Sequence, residues 1–240
     1  MKLTLDVENT VTKRDGKMHL DPFEPENSLT MIGVLTDQDV ERHFPFDHCD
    51  VPNQQHFYEQ VQWFLDEATI LICHNAAHDL LWLWESGFTY DGPVFDTMLA
   101  EYVLQRGIKE PLSLEACAER YELDTKKQDT LKEYFKQGYS TRDIPYNELC
   151  EYLSADLHAT QQLADKLIYR LNTPADSGLR GTVDLTNQVA VCLSRIYQRG
   201  FAVDLSKLDE VREEFENEKR QLTDDLQAHV RKLMGDTPIN

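Results

Sequence analysis

The first third of the chain alternates between apolar and polar positions in a way that predicts β-strands. Residues Lys2 to Val7 place an apolar side chain at every second position, and Leu29 to Thr36 form a second, mostly apolar run. The pair Asp15-Gly16 and several prolines lie between them and predict turns. A short apolar run from Thr69 to Cys73 is typical of a buried strand. We therefore expect a sheet whose strands come early in the chain.

Apolar residues at helical spacing dominate the remainder of the chain. The predicted helices are His56–Glu67, Asp79–Glu85, Asp96–Leu104, Leu112–Tyr121, Tyr146–Leu171, Leu185–Arg199 and Leu205–Met234. Gly87 and Gly200 mark the ends of two of them. The last helix is rich in charged residues, which favours a solvated surface helix.

Residues that break regular structure cluster between Leu171 and Thr182 and indicate a boundary. We expect one domain over residues 1–172, a linker over 173–184 and a helical segment over 185–240. The stretch Lys126 to Asp143 is rich in Lys, Gln and Tyr. A plain surface connection is the favoured interpretation of that stretch, and a substrate-facing loop and helix is the alternative.

The composition limits the class of protein. An apolar content of 41% in 240 residues suffices for one well-packed domain with a smaller appendage. The five scattered cysteines predict reduced thiols rather than disulfides or a zinc site. No apolar run is long enough to cross a membrane and the start does not resemble a signal peptide, so we expect a soluble, cytoplasmic protein without a membrane partner.

The net charge of −19 raises a question about nucleic acids, which are usually bound through Lys and Arg. Two interpretations fit the charge. Either the chain does not bind nucleic acid, or it binds through metal ions while a partner supplies positive charge. Composition does not choose between them.

Two carboxylates fall on one face of the first predicted strand. Asp6 and Glu8 are two residues apart, so their side chains point the same way. Such a pair is unfavourable unless a cation lies between the carboxylates. An exposed polar strand face is the alternative.

A second group of polar residues follows the buried strand that ends at Cys73. In the segment His74 to Asp79, Asn75 is a plausible helix cap and Asp79 lies in the first helical turn. Ligands of α/β folds gather at such strand ends. The alternative is that Asn75 only caps the helix and Asp79 only offsets its dipole. We expect packing or surface roles for His74 and His78.

A third pair lies on one face of a predicted helix, since Tyr152 and Asp156 are four residues apart. By itself this pair is equally typical of a buried tyrosine with a local hydrogen bond. The occurrence of all three signals in this order is what favours a functional interpretation.

In that order, the segments Leu5 to Glu8, His74 to Asp79 and Tyr152 to Asp156 resemble the three exonuclease motifs of the DEDD superfamily. The tyrosine matches the DEDDy branch, because the other branch has a histidine where this chain has Glu151. The resemblance covers about residues 1–170. It implies an α/β fold of the ribonuclease H-like (DnaQ-like) kind, with a mixed central sheet flanked by helices and a C-terminal helical segment.

The resemblance also implies a mechanism. Asp6, Glu8 and Asp156 would be ligands of one Mg²⁺ or Mn²⁺ ion, and Asp6 would bridge to a second ion supported by Asp79. One ion activates the attacking water and the other stabilises the departing 3′ oxygen. Tyr152 would orient that water, because a phenol with a pKa near 10 is a poor base at neutral pH. Asn75 would help to hold the substrate or the second motif.

Further segments resemble bacterial and phage family A DNA polymerases. Phe95 to Leu104 and Leu112 to Tyr121 look like helices of their proofreading domains, with Asp96 in a structural role. Leu193 to Asp204 is similar to the connection between exonuclease and thumb, and Gly235 to Asn240 resembles the base of the thumb. The resemblance implies a proofreading 3′-5′ exonuclease that releases nucleoside 5′-monophosphates.

The expected partners follow from this resemblance. They are the 3′ end of single-stranded or frayed DNA and a polymerase region, either in the same full-length chain or as a separate subunit. No polymerase activity is expected from this chain alone. A ribonuclease D-like RNA exonuclease, a catalytically silent module of a replication complex and a general acidic interaction protein are the alternatives.

Overall fold

The structure, a computed structural model, describes residues 1–123 and 130–235. A mixed five-stranded sheet forms the centre of this part of the chain. The strands are β1 Lys2–Asn9, β2 Thr12–Arg14, β3 Lys17–His19, β4 Leu29–Thr36, β5 Glu41–Pro45, β6 Ile70–Cys73 and β7 Val94–Asp96. The sheet has the order β5-β4-β1-β6-β7, and β2 pairs with β3 in a separate hairpin. Strand β1 runs antiparallel to β4 and parallel to β6, which makes it the central strand of the sheet.

Helices cover both faces of this sheet. They are α1 Gln55–Glu67, α2 Ala76–Glu85, α3 Thr97–Leu104, α4 Leu114–Arg120, α5 Thr130–Lys136, α6 Tyr146–Leu171, α7 Arg180–Arg199 and α8 Leu205–Met234. Short 3₁₀ turns at Thr141–Asp143 and Ser177–Leu179 precede α6 and α7. In the described residues, no helix is both long and apolar enough to cross a membrane.

The two faces of β1 have different partners. Leu3, Leu5 and Val7 are buried in a cluster that includes Val61 of α1 and Leu83 of α2. Asp6 and Glu8, which alternate with these apolar residues, point to the opposite face because side chains alternate along a strand. Strand β4 is buried at every position, as expected when both faces of a strand are covered.

Helix α6 packs on the face of the sheet to which Asp6 and Glu8 point. Its first half buries Leu149, Leu153 and Leu157 against Met31 and Leu35 of β4. Its second half joins another cluster, formed by Ala100, Leu104, Cys117, Leu163, Leu167 and Val183 of helices α3, α4, α6 and α7. The long helix is therefore held along its length by two apolar clusters.

Several predicted bounds are confirmed, including those of β4, α6 and α8. Helix α2 begins at Ala76, so the predicted cap position at Asn75 is confirmed, and the apolar run predicted over Asp79–Glu85 forms the later part of the helix. Strands β2, β3, β5 and β7 were not predicted, because they are short and β5 contains Glu41, Arg42 and His43. Their pairing with neighbouring strands, which a single-chain pattern does not reveal, defines them.

Helix α7 begins at Arg180, within the segment 173–184 that the sequence predicts as a linker, and Val183 of its first turn is buried. The chain divides into two compact units, Met1–Gln198 and Arg199–Asn240. The predicted functional boundary after residue 172 stays a prediction. Part of Lys126–Asp143 and most of Gly235–Asn240 lie outside the described residues.

The second unit consists mainly of α8. The Asp204 carboxylate caps this helix and accepts hydrogen bonds from the backbone amides of Ser206 and Lys207, at 3.0 and 3.3 Å. Its side chains are mostly exposed, as its charged sequence predicts.

Candidate active site

The first two carboxylates of the site lie near the end of the central strand. Asp6 and Glu8 of β1 are partly buried, and their neighbours across the antiparallel pairing are Gly33 and Met31 of β4. The register shifts between Glu8 and Asn9, so the regular pairing of β1 ends directly after Glu8. Both carboxylates therefore lie on the α6 face at the edge where the strand leaves the sheet.

The third carboxylate enters from the first turn of α2. Asp79 is only 2% exposed, and its Oδ2 atom is a buried acceptor without a hydrogen-bond partner among the described residues. The Cys73 thiol at the end of β6 is a hydrogen-bond partner of the same carboxyl group. A buried carboxylate oxygen without a donor is costly, and a bound cation would satisfy it.

The start of α2 is held by Asp96 rather than by the predicted cap Asn75. Asn75 is exposed, lies in the left-handed region at φ 75°, and its side chain makes no capping hydrogen bond. Instead, the Asp96 carboxylate accepts hydrogen bonds from the amides of Asn75 (3.2 Å) and Ala76 (2.8 Å). The predicted side-chain cap is therefore wrong, because a distant carboxylate takes its place.

Asp96 also caps the next helix. Its Oδ1 atom accepts from the amides of Met98 (2.9 Å) and Leu99 (3.2 Å) at the start of α3. The carboxylate is 1% exposed and has four backbone donors, which accounts for its burial without a metal ion. The predicted structural role of Asp96 agrees with these contacts.

Helix α6 brings the tyrosine and the fourth carboxylate to the strand. Tyr152 and Asp156 lie one turn apart and share a side-chain hydrogen bond. Leu153 and Leu157 of the same helix lie directly over Gly33, where an added Cβ would come within 2.7 Å of Leu153 Cγ and 2.9 Å of Leu157 Cδ1. Glycine at position 33 thus lets α6 approach the sheet closely enough to bring its polar residues beside Asp6.

The carboxylates of Asp6, Glu8, Asp79 and Asp156 act on one another. Burial, then Asp156, raises the pKa of Asp6 to about 7. Burial raises the pKa of Glu8 well above its usual range, and Asp6, Asp156 and Asp79 raise it further. Burial also raises the pKa of Asp156 to about 6, and burial followed by repulsion from Asp6 raises that of Asp79 strongly. Without a cation, these four groups therefore keep their protons to a higher pH than ordinary carboxyl groups do.

The same carboxylates also affect the ionisation of Tyr152. Its pKa is raised above the ordinary phenol value, first by burial and then by the charges of Asp156, Glu8 and Asp6. The phenol is therefore neutral at physiological pH and serves as a hydrogen-bond donor. It is unsuited to take a proton from water.

The site's donor set fits divalent metal ions such as Mg²⁺ or Mn²⁺. Its donors are carboxylate oxygens, which these cations prefer. Asp79 Oδ2 without a partner and the raised pKa values of all four acids fit a cation that binds here. Within residues 1–123 and 130–235, however, the side chains of the structure do not form a group of three or more His, Cys, Asp or Glu residues that could hold a metal ion in their present positions.

The nearby histidines have structural partners. His74 contacts Thr97 Oγ1 at 2.8 Å and the Leu112 carbonyl at 2.9 Å. His78 Nε2 lies 2.9 Å from Asn9 Oδ1. Burial lowers the pKa of both imidazoles, which favours their neutral forms. These contacts agree with the expectation of packing or surface roles for both residues.

Comparison with protein families agrees with this geometry. The model of the 3′-5′ exonuclease family (DNA_pol_A_exo1) matches residues 18–172. The chain belongs to the 3′-5′ exonuclease family. Asn75, Asp79, Tyr152 and Asp156 lie within the match, whereas Asp6 and Glu8 precede it. Exonuclease domains of this family are nucleases that use divalent metal ions.

Solved structures share the fold at low sequence identity. The POL domain of Pol1 from M. smegmatis, in complex with DNA primer-template and dNTP, is 17% identical with a TM-score of 0.63, over 100% of this chain and 35% of that one. Brucella melitensis NrnC with bound Mg²⁺ is 19% identical with a TM-score of 0.57, over 85% and 88%. The catalytic core of RRP6 from Trypanosoma brucei is 16% identical with a TM-score of 0.52, over 79% and 45%.

These structures establish the fold of this exonuclease family member. It is the α/β, ribonuclease H-like (DnaQ-like) fold that the motifs implied, with a mixed sheet flanked by helices. A comparison with curated proteins finds no match. The chain spans about a third of the Pol1 polypeptide that it resembles, so the activities of that whole protein do not transfer to it directly.

Two contributors to the site were not found from the sequence. Gly33 lies in an apolar run whose pattern gives no reason to single it out, and its role depends on a helix far along the chain. Asn9 follows the first motif directly and fixes both His78 and the carbonyl of Leu20. Its position beside Glu8 was the only available signal.

Proposed function

We propose that this exonuclease removes nucleotides from 3′ ends of DNA by two-metal-ion hydrolysis and is the proofreading part of a family A DNA polymerase. The observation that carries the proposal is that burial and mutual repulsion raise the pKa values of Asp6, Glu8, Asp79 and Asp156, and that the same charges raise the pKa of Tyr152. Such an arrangement is unfavourable in a purely structural role, since four acids repel one another.

The four carboxylates would hold two Mg²⁺ or Mn²⁺ ions. Asp6, Glu8 and Asp156 would hold one ion, and Asp6 and Asp79 would hold the other. When bound, such ions supply an activated water and neutralise charge at the scissile phosphate. Asp6 interacts electrostatically with both Glu8 on its own strand and Asp156 on α6, which suits it to the shared position.

Tyr152 positions the attacking water. The neutral phenol donates its single O–H to Asp156, and its oxygen is left to accept a hydrogen bond from the water. Asn75 is exposed at the start of α2, four residues before Asp79, so its amide is free to contact the terminal nucleotide. These two residues bind and orient, while the carboxylates carry the charge.

The polymerase association is supported by the extent of the structural likeness. Pol1 matches 100% of the chain, including α7 and α8, whereas NrnC matches 85%. The outer side of α7 exposes Leu185, Leu193 and Ile196, each more than half exposed, as a surface that a further domain would cover. A polymerase region would also supply the positive charge that binding of duplex DNA requires.

A ribonuclease is the second candidate function. NrnC and RRP6 share the fold, so likeness of fold alone does not separate DNA from RNA as the substrate. A catalytically silent module is the third, but it gives no reason to keep four repelling carboxylates together. Bacterial or phage origin and a cytoplasmic place of action belong to the main proposal, through the resemblance to family A polymerases.

The test is cleavage of matched strands. The purified chain is incubated with 5′-labelled single-stranded DNA and with RNA of the same sequence, in Mg²⁺, Mn²⁺ or EDTA. Asp6→Ala/Glu8→Ala is the inactive variant, and Asp37→Asn/Asp39→Asn, on an exposed turn, is the control, since asparagine tolerates the left-handed backbone of residue 39. A metal-dependent ladder from the 3′ end of DNA supports the proposal. Faster loss of RNA favours the ribonuclease, and a folded chain that cleaves neither favours the silent module.

A further inference from the structure

The β2–β3 hairpin follows the catalytic strand and is basic in an otherwise acidic chain. It carries Lys13, Arg14 and Lys17 against a single acid, Asp15, while the whole chain has a net charge of −19. Lys13 and Lys17 are exposed, and neither makes an ion pair within the part of the chain that the structure describes. Arg14, by contrast, is paired with Glu24. Two free cations thus project close to the end of β1.

Asn27, which is partly buried, and Asn9, which is buried, fix this hairpin relative to the site. Asn27 donates to the carbonyls of His19 (2.9 Å) and Asp21 (3.0 Å) and accepts from Thr12 Oγ1 (2.8 Å). Asn9, next to Glu8, donates to the carbonyl of Leu20 at 3.2 Å. The hairpin is therefore tied to the same strand end that carries the carboxylates.

A cavity of about 640 Å³ lies between this hairpin and the 3₁₀ turn before α6. Its lining includes Thr10, two residues beyond Glu8, and the hydroxyl groups of Thr12, Ser28 and Ser140. Its volume is within the range of sites that bind small molecules or parts of polymers. The hydroxyl groups of Thr12 and Ser140 already donate to Asn27 and Asp143, so the basic side chains of the cavity are the groups suited to contact phosphates of nucleic acids.

The charged residues of this cavity are Lys13, Arg142, Glu26 and Asp143. Both carboxylate oxygens of Asp143 already accept hydrogen bonds. The Oδ2 atom accepts one from Ser140 Oγ at 2.7 Å, and the Oδ1 atom accepts one from the Cys49 thiol at 3.3 Å. Glu26 is exposed and free to turn towards solvent. Arg142 is half exposed, and its ion pair with Asp47, at 3.4 Å, involves only the Nε atom, so within the described residues its two terminal nitrogens remain for a ligand. Lys13 and Arg142 are therefore the charges available to a ligand inside the cavity.

We propose that this cavity is a phosphate-binding track, in which Lys13 and Arg142 hold the phosphodiester backbone of the single strand upstream of the nucleotide being removed. The inference rests on the proposed function. It adds a second contact region beside the metal site and gives an acidic chain a local means of holding its substrate. Because the contacts are to phosphate, the track serves DNA and RNA strands alike.

The test compares substrates of different length. Lys13→Ala and Arg142→Ala are assayed with a dinucleotide and with a single strand of about twelve nucleotides, within the size range of single-strand sites. Lys17→Ala is the matched control, because it removes an exposed cation of the same hairpin that does not line the cavity. Thermal unfolding of each variant confirms that it is folded.

The expected result is a length-dependent loss. Each cavity variant raises KM for the long strand about five- to tenfold more than for the dinucleotide, and lowers the slope of log KM against log salt by about 0.7, the value for one phosphate contact on a single strand. The track is refuted if the unmodified chain cleaves both substrates and Lys13→Ala and Arg142→Ala act like Lys17→Ala. Equal losses on both substrates also refute it. An unmodified chain that cleaves neither overturns the proposed function itself, and this inference with it.

Discussion

Gly33 on β4 lies directly opposite Asp6 on β1, and the absence of a side chain at Gly33 is what allows Leu153 of α6 to rest on the sheet there. An added Cβ would meet Leu153 Cγ at 2.7 Å, closer than packed atoms approach. The catalytic strand and the helix that carries Tyr152 and Asp156 are thus brought together at a position with no chemistry of its own.

Gly33→Ala is therefore expected to impair catalysis beyond its effect on folding. The methyl group pushes α6 outwards, which costs about 1–3 kcal/mol of unfolding free energy, the usual range for overpacking. Displacing Asp156 and Tyr152 should lower kcat about tenfold or more, since small misplacements of reacting groups slow a reaction strongly. Gly181→Ala is the control, because its Cβ meets nothing within 4 Å. A Gly33→Ala enzyme with unchanged kcat would contradict this account of α6.

Tyr152→Phe should lower kcat about tenfold or more with little change in the free energy of unfolding. The substitution removes only the hydroxyl group that donates to Asp156 and orients water. Single-turnover cleavage of a labelled strand measures the effect. Tyr169→Phe, at a position 72% exposed, serves as the control. If Tyr152→Phe matched that control in rate, the positioning role would be lost.

The stability of the metal-free chain should fall as pH rises. The pKa of Asp6 is raised from an ordinary 3.8 to about 7, so the folded state holds a proton that the unfolded state has already lost between these values. The proton-linked stability is complete below about pH 4 and is lost as pH rises through about 7. Thermal unfolding in EDTA, followed from pH 5 to pH 8, would show Tm decreasing.

Added Mg²⁺ or Mn²⁺ should reverse this trend at the upper end of the pH range. Metal ions bind the deprotonated carboxylates, so they should raise Tm at pH 8 and have little effect at pH 5. Asp6→Asn should flatten both dependences. A Tm that rises with pH in EDTA would show that the carboxylates do not repel one another in the way described.

Asp79 and Asp96 should respond in opposite ways to loss of charge. Asp79→Asn removes a buried negative charge that Asp6 repels, so it should stabilise the metal-free chain at pH 8 while abolishing metal-dependent cleavage. Asp96→Asn weakens the capping hydrogen bonds to α2 and α3, and loss of one such cap typically costs about 0.5–2 kcal/mol. Denaturant unfolding with and without Mn²⁺ measures both. Equal destabilisation by the two substitutions would refute this assignment of roles.

The sequence predicted those pairs of site residues that lie only a few positions apart along the chain. The period of two along a strand placed Asp6 and Glu8 on one face, and the spacing of four along a helix placed Tyr152 with Asp156. It also predicted the long helix α6, whose apolar stripe is continuous. The family resemblance then implied how these local groups meet.

The features that were missed depend on contacts between distant segments. The cap of α2 comes from Asp96 and not from the adjacent Asn75, although a Ser, Thr, Asn or Asp before a helix normally predicts its own capping. The short strands β5 and β7 exist because neighbours pair with them, and Gly33 matters because of Leu153. None of these partners is visible from local periodicity.

The carboxylate of Asp96 holds the first turns of two helices at once, and this has a consequence for how the site opens. The amides of Asn75 and Ala76 in one helix start, and of Met98 and Leu99 in the other, all donate to the same two oxygen atoms. Neither start is released while that carboxylate stays in place. Their amide protons should therefore exchange with solvent deuterium at a common rate, as one cooperative opening unit that carries Asp79 with it.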